Sequence, residues 1–177
     1  MSIEIIHKIT KHPLFRNKRN PLVRSVKRSG FYVEYIPNED FRPFPGVWYS
    51  RTDERPKYTL YCNNCIALVL MSKVDHVSFS RLFHISPGSM QAESSKVFLQ
   101  SLLTHAIESF RTYNVERWKI AVFIIGEDAN NKTFVSKIKE ILDSLNLTSK
   151  IIRKGIGTHT TDVYVHSKKK KILINNY

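Results

Sequence analysis

The feature that most constrains the fold is an unbroken apolar run in the middle of the chain, Ile66–Met71 (I-A-L-V-L-M). A strand with one wet face alternates apolar and polar residues, whereas a strand buried on both faces is apolar throughout. The run therefore predicts a central strand that is covered on both sides. A second run, Phe79–Ile85, follows after mostly polar residues and is closed by Pro87. This pattern predicts an antiparallel partner for the central strand.

Two later segments have the apolar period of amphipathic helices. Ser94 or Ser95 caps a predicted helix that runs to about Tyr113, and a second helix is predicted over Asn130–Leu147. Pro37–Pro56 is predicted to be a loop because prolines and a glycine punctuate it. The order of elements predicts an α/β (α+β) protein, a mixed β-sandwich with two helices packed on a sheet. The other predicted strands are Phe31–Ile36, Tyr58–Cys62, Trp118–Ile125, Thr148–Lys154, Thr161–His166 and Lys171–Ile174.

The chain has 177 residues, the length of one domain, and a formal net charge of +13. Basic residues dominate positions 1–30, which we interpret as a basic N-terminal extension before a single domain over 31–177. A charge of this sign suits an acidic protein partner, an anionic membrane or a nucleic acid. Nucleic-acid binding is possible but not favoured, because charge must cluster before it indicates a binding face.

Aromatic residues in the predicted loop allow two interpretations. Phe41, Phe44, Trp48 and Tyr49 stand near Arg42 and Arg51, a combination that can stack on nucleic-acid bases. Residues of this kind more often cover one end of a core, and we favour that interpretation. No apolar run is long enough for a membrane span, and the first residues lack the pattern of a signal peptide. We therefore expect a cytoplasmic protein, or one secreted without a cleaved signal peptide into a host cytosol.

The two cysteines, Cys62 and Cys65, are too few for a structural zinc site or a disulfide framework. Cys65 begins the central strand and His84 ends its predicted partner, so the two would lie at one end of a sheet. A thiol beside an imidazole is the minimal activated nucleophile. The alternative is structural, since a buried cysteine is commonly a small core residue. Patterning alone does not choose between Cys62 and Cys65.

Several motifs together resemble the signature of the chemoreceptor glutamine deamidases, the CheD family. They are Thr59-x5-Cys65, the apolar run that follows it, and His84-Ile-Ser-Pro87. In that family a threonine stands six residues before a nucleophilic cysteine, and a histidine follows the next strand. The same set occurs in toxins of this fold, the cytotoxic necrotizing factors and the Burkholderia lethal factor. Similarity extends through Ala121–Asn131 and the Gly155–Gly157 turn to Ile174.

The resemblance implies a protein-glutamine deamidase without metal or cofactor. Cys65 would attack the side-chain carboxamide, and His84 would take the thiol proton and return one to ammonia. Thr59 would orient His84 or the substrate amide, and backbone N–H groups at Asn64 and Cys65 would hold the oxyanion. An imidazolium neighbour would keep the thiol ionised. The chain departs from the family at Asn63 and Asn64, where small residues are usual, although asparagine tolerates left-handed turns.

The implied partner is a glutamine-bearing protein with an acidic surface. A bacterial effector that modifies a host protein fits the basic charge at least as well as a chemotaxis enzyme. The alternatives are a nucleic-acid-binding protein and a catalytically silent scaffold with the same fold. A cysteine protease or acyltransferase would use the same pair of side chains.

Overall fold

The computed structural model describes residues 2–10, 30–33, 47–90, 93–155 and 158–177. These residues form ten strands and two α-helices, so the predicted α+β class is confirmed. Short 3-10 helices also occur at Pro87–Met90 and Arg117–Lys119. The strands are β1 (Glu4–Ile9), β2 (Phe31–Tyr32), β3 (Val47–Tyr49), β4 (Lys57–Cys62), β5 (Ile66–Val74), β6 (Val77–Ile85), β7 (Ala121–Glu127), β8 (Ser149–Arg153), β9 (Thr161–His166) and β10 (Lys171–Asn176), and the helices are α1 (Glu93–Arg111) and α2 (Lys132–Ser144).

The strands form two mixed sheets of five. Sheet A has the order β1-β10-β9-β4-β2, and its outer pairs β1–β10 and β2–β4 are parallel. Sheet B has the order β3-β6-β5-β7-β8, and only its β7–β8 pair is parallel among the described strands. The long antiparallel pair β5–β6 is joined by a tight turn at Asp75, which has a positive φ of 51°. The antiparallel pairing that the two apolar runs of the sequence predict is thus confirmed.

The central strand β5 is buried on both faces, as its apolar run predicts. Alternate residues point to opposite sides of a strand. Ile66, Leu68 and Leu70 pack with helices α1 and α2, in a core that covers the outer face of sheet B. Ala67 and Val69 pack in a second core between the two sheets, with side chains from β9 and β10. The molecule therefore has three layers: sheet A, sheet B and the pair of helices.

The structure corrects the sequence interpretation in three places. The predicted strand Trp118–Ile125 begins only at Ala121, because Trp118 and Lys119 lie in a 3-10 helix. Tyr58–Cys62 and Cys65–Met71 read in sequence as a strand interrupted or bent at Asn63 and Asn64, but β4 belongs to sheet A and β5 to sheet B. The chain thus crosses from one sheet to the other at these asparagines. Val47–Tyr49, inside the predicted loop Pro37–Pro56, forms the edge strand β3 beside β6. Three residues between loop signals are too short for a periodic pattern to be visible.

Other sequence interpretations concern the first part of the chain and the predicted loop. Glu4–Ile9, within the expected basic extension, pairs with β10 at the edge of sheet A. The remainder of that extension, the end of the predicted strand Phe31–Ile36, and Phe41, Arg42 and Phe44 lie outside the described residues. Across the described ranges, neither helix is long and apolar enough to cross a membrane.

The packing of α1 on sheet B yields a stability prediction. Leu103 is fully buried in the helix-side core, whereas Val97 on the same helix is 60% exposed. Leu103→Ala is expected to lower the free energy of unfolding by about 2–5 kcal/mol, because it leaves a cavity. Val97→Ala is the matched control and should stay within about 0.5 kcal/mol of wild type. Urea unfolding measures both, and equal losses in the two variants would contradict the assigned packing.

Candidate functional site

A β-bulge at the end of β4 turns two polar side chains toward the space between the sheets. Thr59 pairs with Val163 and Cys62 with Thr161, so two residues of β4 stand opposite the single Asp162. The extra residue is accommodated at Tyr61, whose φ is +60° and whose ring is exposed. A bulge of this kind re-aims the side chains that follow it. Thr59 and Cys62, three positions apart, consequently both lie buried at the same end of the inter-sheet core.

His84 enters this space from the opposite sheet. It is the next-to-last residue of β6 and is fully buried. Its cross-strand neighbours are Ala67 on β5 and Trp48 on β3. The Trp48 and His84 rings meet edge to face, with centroids 5.9 Å apart. The small Ala67 side chain on the other flank takes up little of the space beside the imidazole.

The hydrogen bonds of Thr59 fix the tautomer of His84. Thr59 Oγ1 donates to the Val33 carbonyl at 2.9 Å, and a carbonyl oxygen can only accept. The hydroxyl proton is therefore committed, so the 2.7 Å contact between Thr59 Oγ1 and His84 Nδ1 must have Nδ1 as its donor. In the neutral ring Nε2 then carries the lone pair. Nε2 is thus the nitrogen of His84 that can act as a base.

Cys62 is the cysteine that the structure brings into direct contact with His84. Its sulfur lies 3.6 Å from Nδ1. Because Nδ1 already carries a proton that it donates to Thr59, this contact does not make His84 a base for Cys62. Burial raises the pKa of the Cys62 thiol well above its usual range, and the nearby Cys65 and Asp162 add to the effect. Cys62 therefore stays a buried, protonated thiol.

Cys65 occupies the more accessible position. It is half-buried, directly precedes β5, and packs at the edge of the inter-sheet core. Because Ala67 stands opposite His84, Cys65 is on the same face one step further along and is a diagonal neighbour of the imidazole. Such neighbours lie about 7–8 Å apart, within reach of a ring side chain. Burial raises the pKa of the Cys65 thiol, while a hydrogen bond from Ser86 and the charge of Lys154 oppose that rise.

Burial also lowers the pKa of His84 to about 4, because the imidazolium would lose its water. With both thiol pKa values raised, the resting site holds neutral thiols and a neutral imidazole at pH 7. This differs from the thiolate and imidazolium that the sequence led us to expect. A neutral ring has its lone pair available, so it suits a base that acts only when a thiol proton must leave.

The Asn63–Asn64 turn is held from outside by side chains that the sequence interpretation missed. Asn131 Nδ2 donates to the Asn64 carbonyl at 3.3 Å and to the Gly126 carbonyl at 3.0 Å. Lys154 Nζ donates to the Asn63 carbonyl. Thr160 Oγ1 donates to the Asn63 side chain, the oxygens lying 2.6 Å apart. The asparagines that replace the small residues of the CheD pattern are thus built into a specific network.

Gly126 permits the close approach of β7 to this turn. Its φ of +106° lies in the region that favours glycine. A Cβ at this position would stand 3.4 Å from the Cys65 carbonyl oxygen and 3.7 Å from Lys154 Cε. The glycine therefore lets the cysteine segment and the lysine side chain pack against the end of β7.

An open cleft of about 760 Å³ adjoins the turn. Its wall comes from the turn, the end of β7 and the loop after it, and the segment after β8. Cys65 follows the lining residue Asn64 in the chain and is half-buried. The lining residues include Asn63, Asn64, Asp128, Lys132, Lys154 and His159.

The predicted site residues therefore converge in part. Thr59 and His84, from different sheets, are in hydrogen-bond contact. Asn63 and Asn64 line the adjoining cleft, and Cys65 directly precedes β5, the strand that pairs with the strand of His84. The close contact between Cys62 and His84 was not predicted. Asn131 and Lys154 were missed because their contacts join positions far apart in the chain, and no local pattern announces them.

Comparison with known proteins adds no assignment. No protein-family model matches this chain. No curated protein matches it at a significant level either. In the described part of the chain, no group of three or more His, Cys, Asp or Glu side chains is positioned to hold a metal ion.

The different burial of the two cysteines predicts their order of modification. Iodoacetamide should alkylate Cys65 in the folded protein, faster as pH rises, because only the thiolate reacts. Cys62 should be alkylated only after unfolding. Peptide mass spectrometry that locates the label within the shared peptide makes the measurement. Cys65→Ser is the control and should remove native-state labelling, whereas earlier labelling of Cys62 would contradict the structure.

The lowered pKa of His84 predicts a specific loss of stability in mild acid. The unfolded chain binds a proton near pH 6.5 and the folded chain only near 4, so stability is complete above about 6.5 and falls toward 4. Between about pH 6.5 and 5 the free energy of unfolding should fall by about 1.5 kcal/mol from this group. His166, whose pKa burial also lowers, adds a loss of the same sign.

Urea unfolding of His84→Asn at both pH values isolates this contribution. Asparagine keeps a donor for Thr59 but does not titrate, so the variant should lose most of the pH dependence. His76→Asn, exposed in the β5–β6 turn, is the matched control for the substitution itself. Asp53 and Asp128 have pKa values below their usual range and therefore act at lower pH. Equal pH slopes for wild type and His84→Asn would contradict the assignment.

Proposed function

We propose that this protein is a protein-glutamine deamidase of the CheD-like kind, with Cys65 as nucleophile and His84 as general base and acid. The observation that carries the proposal is the buried 2.7 Å hydrogen bond between Thr59 Oγ1 and His84 Nδ1. His84 lies on β6, which pairs with β5, the strand that follows Cys65. A nucleophile, a base and a third group that orients the base form the arrangement that activates a weak nucleophile. The Thr59-x5-Cys65 spacing and the later His84 add the resemblance in sequence.

In the proposed reaction the Cys65 sulfur attacks the side-chain carboxamide carbon of a substrate glutamine. His84 Nε2 takes the thiol proton as the carbon–sulfur bond forms, because Nδ1 is engaged with Thr59. The proton then passes to the departing nitrogen, which leaves as ammonia. Water attacks the resulting thioester with His84 as base, and the product is glutamate with Cys65 regenerated. The net change is glutamine plus water to glutamate plus ammonia.

Two features support an oxyanion site at the turn before Cys65. The peptide groups of Asn63–Asn64 and Asn64–Cys65 are held by their carbonyl oxygens, through Lys154 and Asn131. Fixed backbone N–H groups stabilise an oxyanion better than mobile ones, since they need not reorganise during the reaction. In the proposal the N–H groups of Asn64 and Cys65 supply this stabilisation.

The open cleft beside the turn supports a protein substrate rather than a small molecule. It is broad and lined by residues of three segments, so a loop or helix that presents a glutamine has room to approach. The net charge of +13 favours a target with an acidic surface. An effector acting in the cytosol of a host cell is consistent with both features.

The test is a search for glutamine-to-glutamate conversion in a cell lysate incubated with the protein. Wild type should convert glutamine in a small set of proteins, and Cys65→Ser should convert none while keeping its thermal midpoint. Cys62→Ser is the matched control and should remain active, because its thiol is buried and not the group that His84 deprotonates. Activity in Cys65→Ser would remove Cys65 from the mechanism, and loss only in Cys62→Ser would shift the nucleophile by three positions.

A catalytically silent protein of the same fold is the second candidate. It is favoured by the full burial of His84 and the raised pKa of both thiols. The same lysate experiment distinguishes the two candidates, because a catalytically silent protein converts no glutamine as wild type or as either cysteine variant. Cleaved peptides or acyl transfer products in place of glutamate would identify a protease or a transferase with the same side chains.

A further inference from the structure

A buried lysine beside the cysteine site has all three of its ammonium protons directed at protein acceptors. The Lys154 side chain is only 1% exposed. Its Nζ donates to the Asn63 carbonyl, to Asp128 Oδ2 at 3.0 Å and to the His159 carbonyl at 3.3 Å. Burying an ammonium is costly unless it is paired and fully hydrogen-bonded. This arrangement meets both conditions and so holds the charge at one point.

The partners of Lys154 are themselves fixed. Asp128 Oδ1 accepts from the backbone N–H groups of Asn130 at 2.9 Å and Asn131 at 3.0 Å. Asn131 Oδ1 in turn accepts from the Asp128 N–H at 2.8 Å. The backbone N–H of Lys154 donates to the Glu127 carbonyl at 2.8 Å. The ammonium is therefore held to the segment that follows β7 as well as to the turn.

Holding the Asn63 carbonyl also sets the direction of a neighbouring donor. The described peptide bonds are all trans. In a trans peptide the C=O and the following N–H point in opposite directions within one plane. Lys154 on the Asn63 carbonyl thus orients the Asn64 N–H, and Asn131 on the Asn64 carbonyl does the same for the Cys65 N–H. These are the two donors proposed above for the oxyanion.

We propose that Lys154 is a positioning residue of the cysteine site, which orients the Asn64 N–H and stabilises the Cys65 thiolate by its fixed positive charge. This inference deepens the proposed function and rests on Cys65 as its nucleophile. Lys154 touches neither sulfur nor substrate in the proposal. Its effect on the reaction passes through the turn and through the electric field.

The field at Cys65 comes from a small set of groups. Burial raises the pKa of its thiol most, and the charge of Lys154 opposes that rise. Lys154 also lowers the pKa of Cys62, whereas Asp162 raises it. Besides Lys154, the titratable groups near Cys65 are Cys62, with which it interacts electrostatically, and His84, its diagonal neighbour on β6. Arg153 is paired with Glu127 at 2.9 Å and Lys154 with Asp128 at 3.0 Å, and of these two cations it is Lys154 whose charge acts on the Cys65 thiol.

The test is the pH profile of Cys65 alkylation by iodoacetamide, located by peptide mass spectrometry in the folded full-length protein. In Lys154→Met the midpoint should move to higher pH by about 1, with about a tenfold lower rate at pH 7, because a nearby cation is lost. Lys154→Arg keeps the charge and should keep the midpoint near wild type. Lys139→Met removes one exposed charge, paired with Asp143 on α2, and is the matched control that should change nothing.

A second variant keeps the inference testable if Lys154→Met does not fold. Asp128→Asn removes the carboxylate that partly neutralises Lys154 while retaining one acceptor for the backbone. The Cys65 midpoint should then move to lower pH, which a merely structural role would not produce. An unchanged midpoint in folded Lys154→Met, or an unchanged or higher midpoint in Asp128→Asn, would overturn the role of Lys154.

The alkylation readout is independent of turnover, so the two proposals fail separately. A shifted alkylation midpoint in Lys154→Met without glutamine conversion by wild type would support the effect of Lys154 on the Cys65 thiol and contradict the deamidase function. Glutamine conversion by wild type with an unshifted midpoint in Lys154→Met would keep the function and remove the inference about Lys154.

Discussion

The polar end of the inter-sheet core depends on one hydrogen bond between the sheets, which His84 on β6 donates to Thr59 on β4. Both side chains are fully buried, so neither can turn to water. A buried polar group that loses its partner costs about 1–3 kcal/mol. Thr59 avoids this cost by donating to Val33 while accepting from His84. The same two bonds that stabilise the sandwich therefore determine which imidazole nitrogen is basic.

This constraint explains the irregular backbone around it. Without the bulge at Tyr61, strict alternation would turn Thr59 and Cys62 to opposite faces of sheet A. With the bulge, both face the inter-sheet core, and the chain is directed toward sheet B within two further residues. The crossing brings Cys65 to the start of β5, next to the end of β6. The positive φ at Tyr61 is thus locally unfavourable, but it lets the chain place the two cysteine sulfurs near the His84 imidazole.

Much of the fold could be predicted from the sequence because its signals are local. The run Ile66–Met71 identifies a strand buried on both faces, and the periodic stripes of α1 and α2 identify both helices within a few residues. The division of Tyr58–Met71 between two sheets was not predictable, because apolar residues facing either core look alike. The edge strand β3 is too short to give a pattern.

The site shows the same division between local and distant information. Strand pairing in the sequence placed Cys65 and His84 at one end of a sheet, and the resemblance added Thr59, which the structure brings into contact with His84 from the other sheet. The Cys62 sulfur lies 3.6 Å from His84 Nδ1, because a bulge shifts the alternation that the sequence implies. The contacts of Asn131 and Lys154 with the turn span more than sixty positions, and nothing in the local sequence marks them.

The thiol of Cys65 and the imidazole of His84 are neutral at rest because burial disfavours their charged forms. An ion pair of thiolate and imidazolium would have to be stabilised in a buried space where each charge loses its water, and the pKa values of Cys65 and His84 both move against it. In the proposed reaction, charge would appear only when a substrate carbonyl accepts the sulfur, and it would be shared with the oxyanion at once. A fixed ammonium and fixed peptide N–H groups are most effective against charge that develops late, because they require no reorganisation. In the proposed mechanism, the polar network outside the turn is therefore as important as the buried histidine.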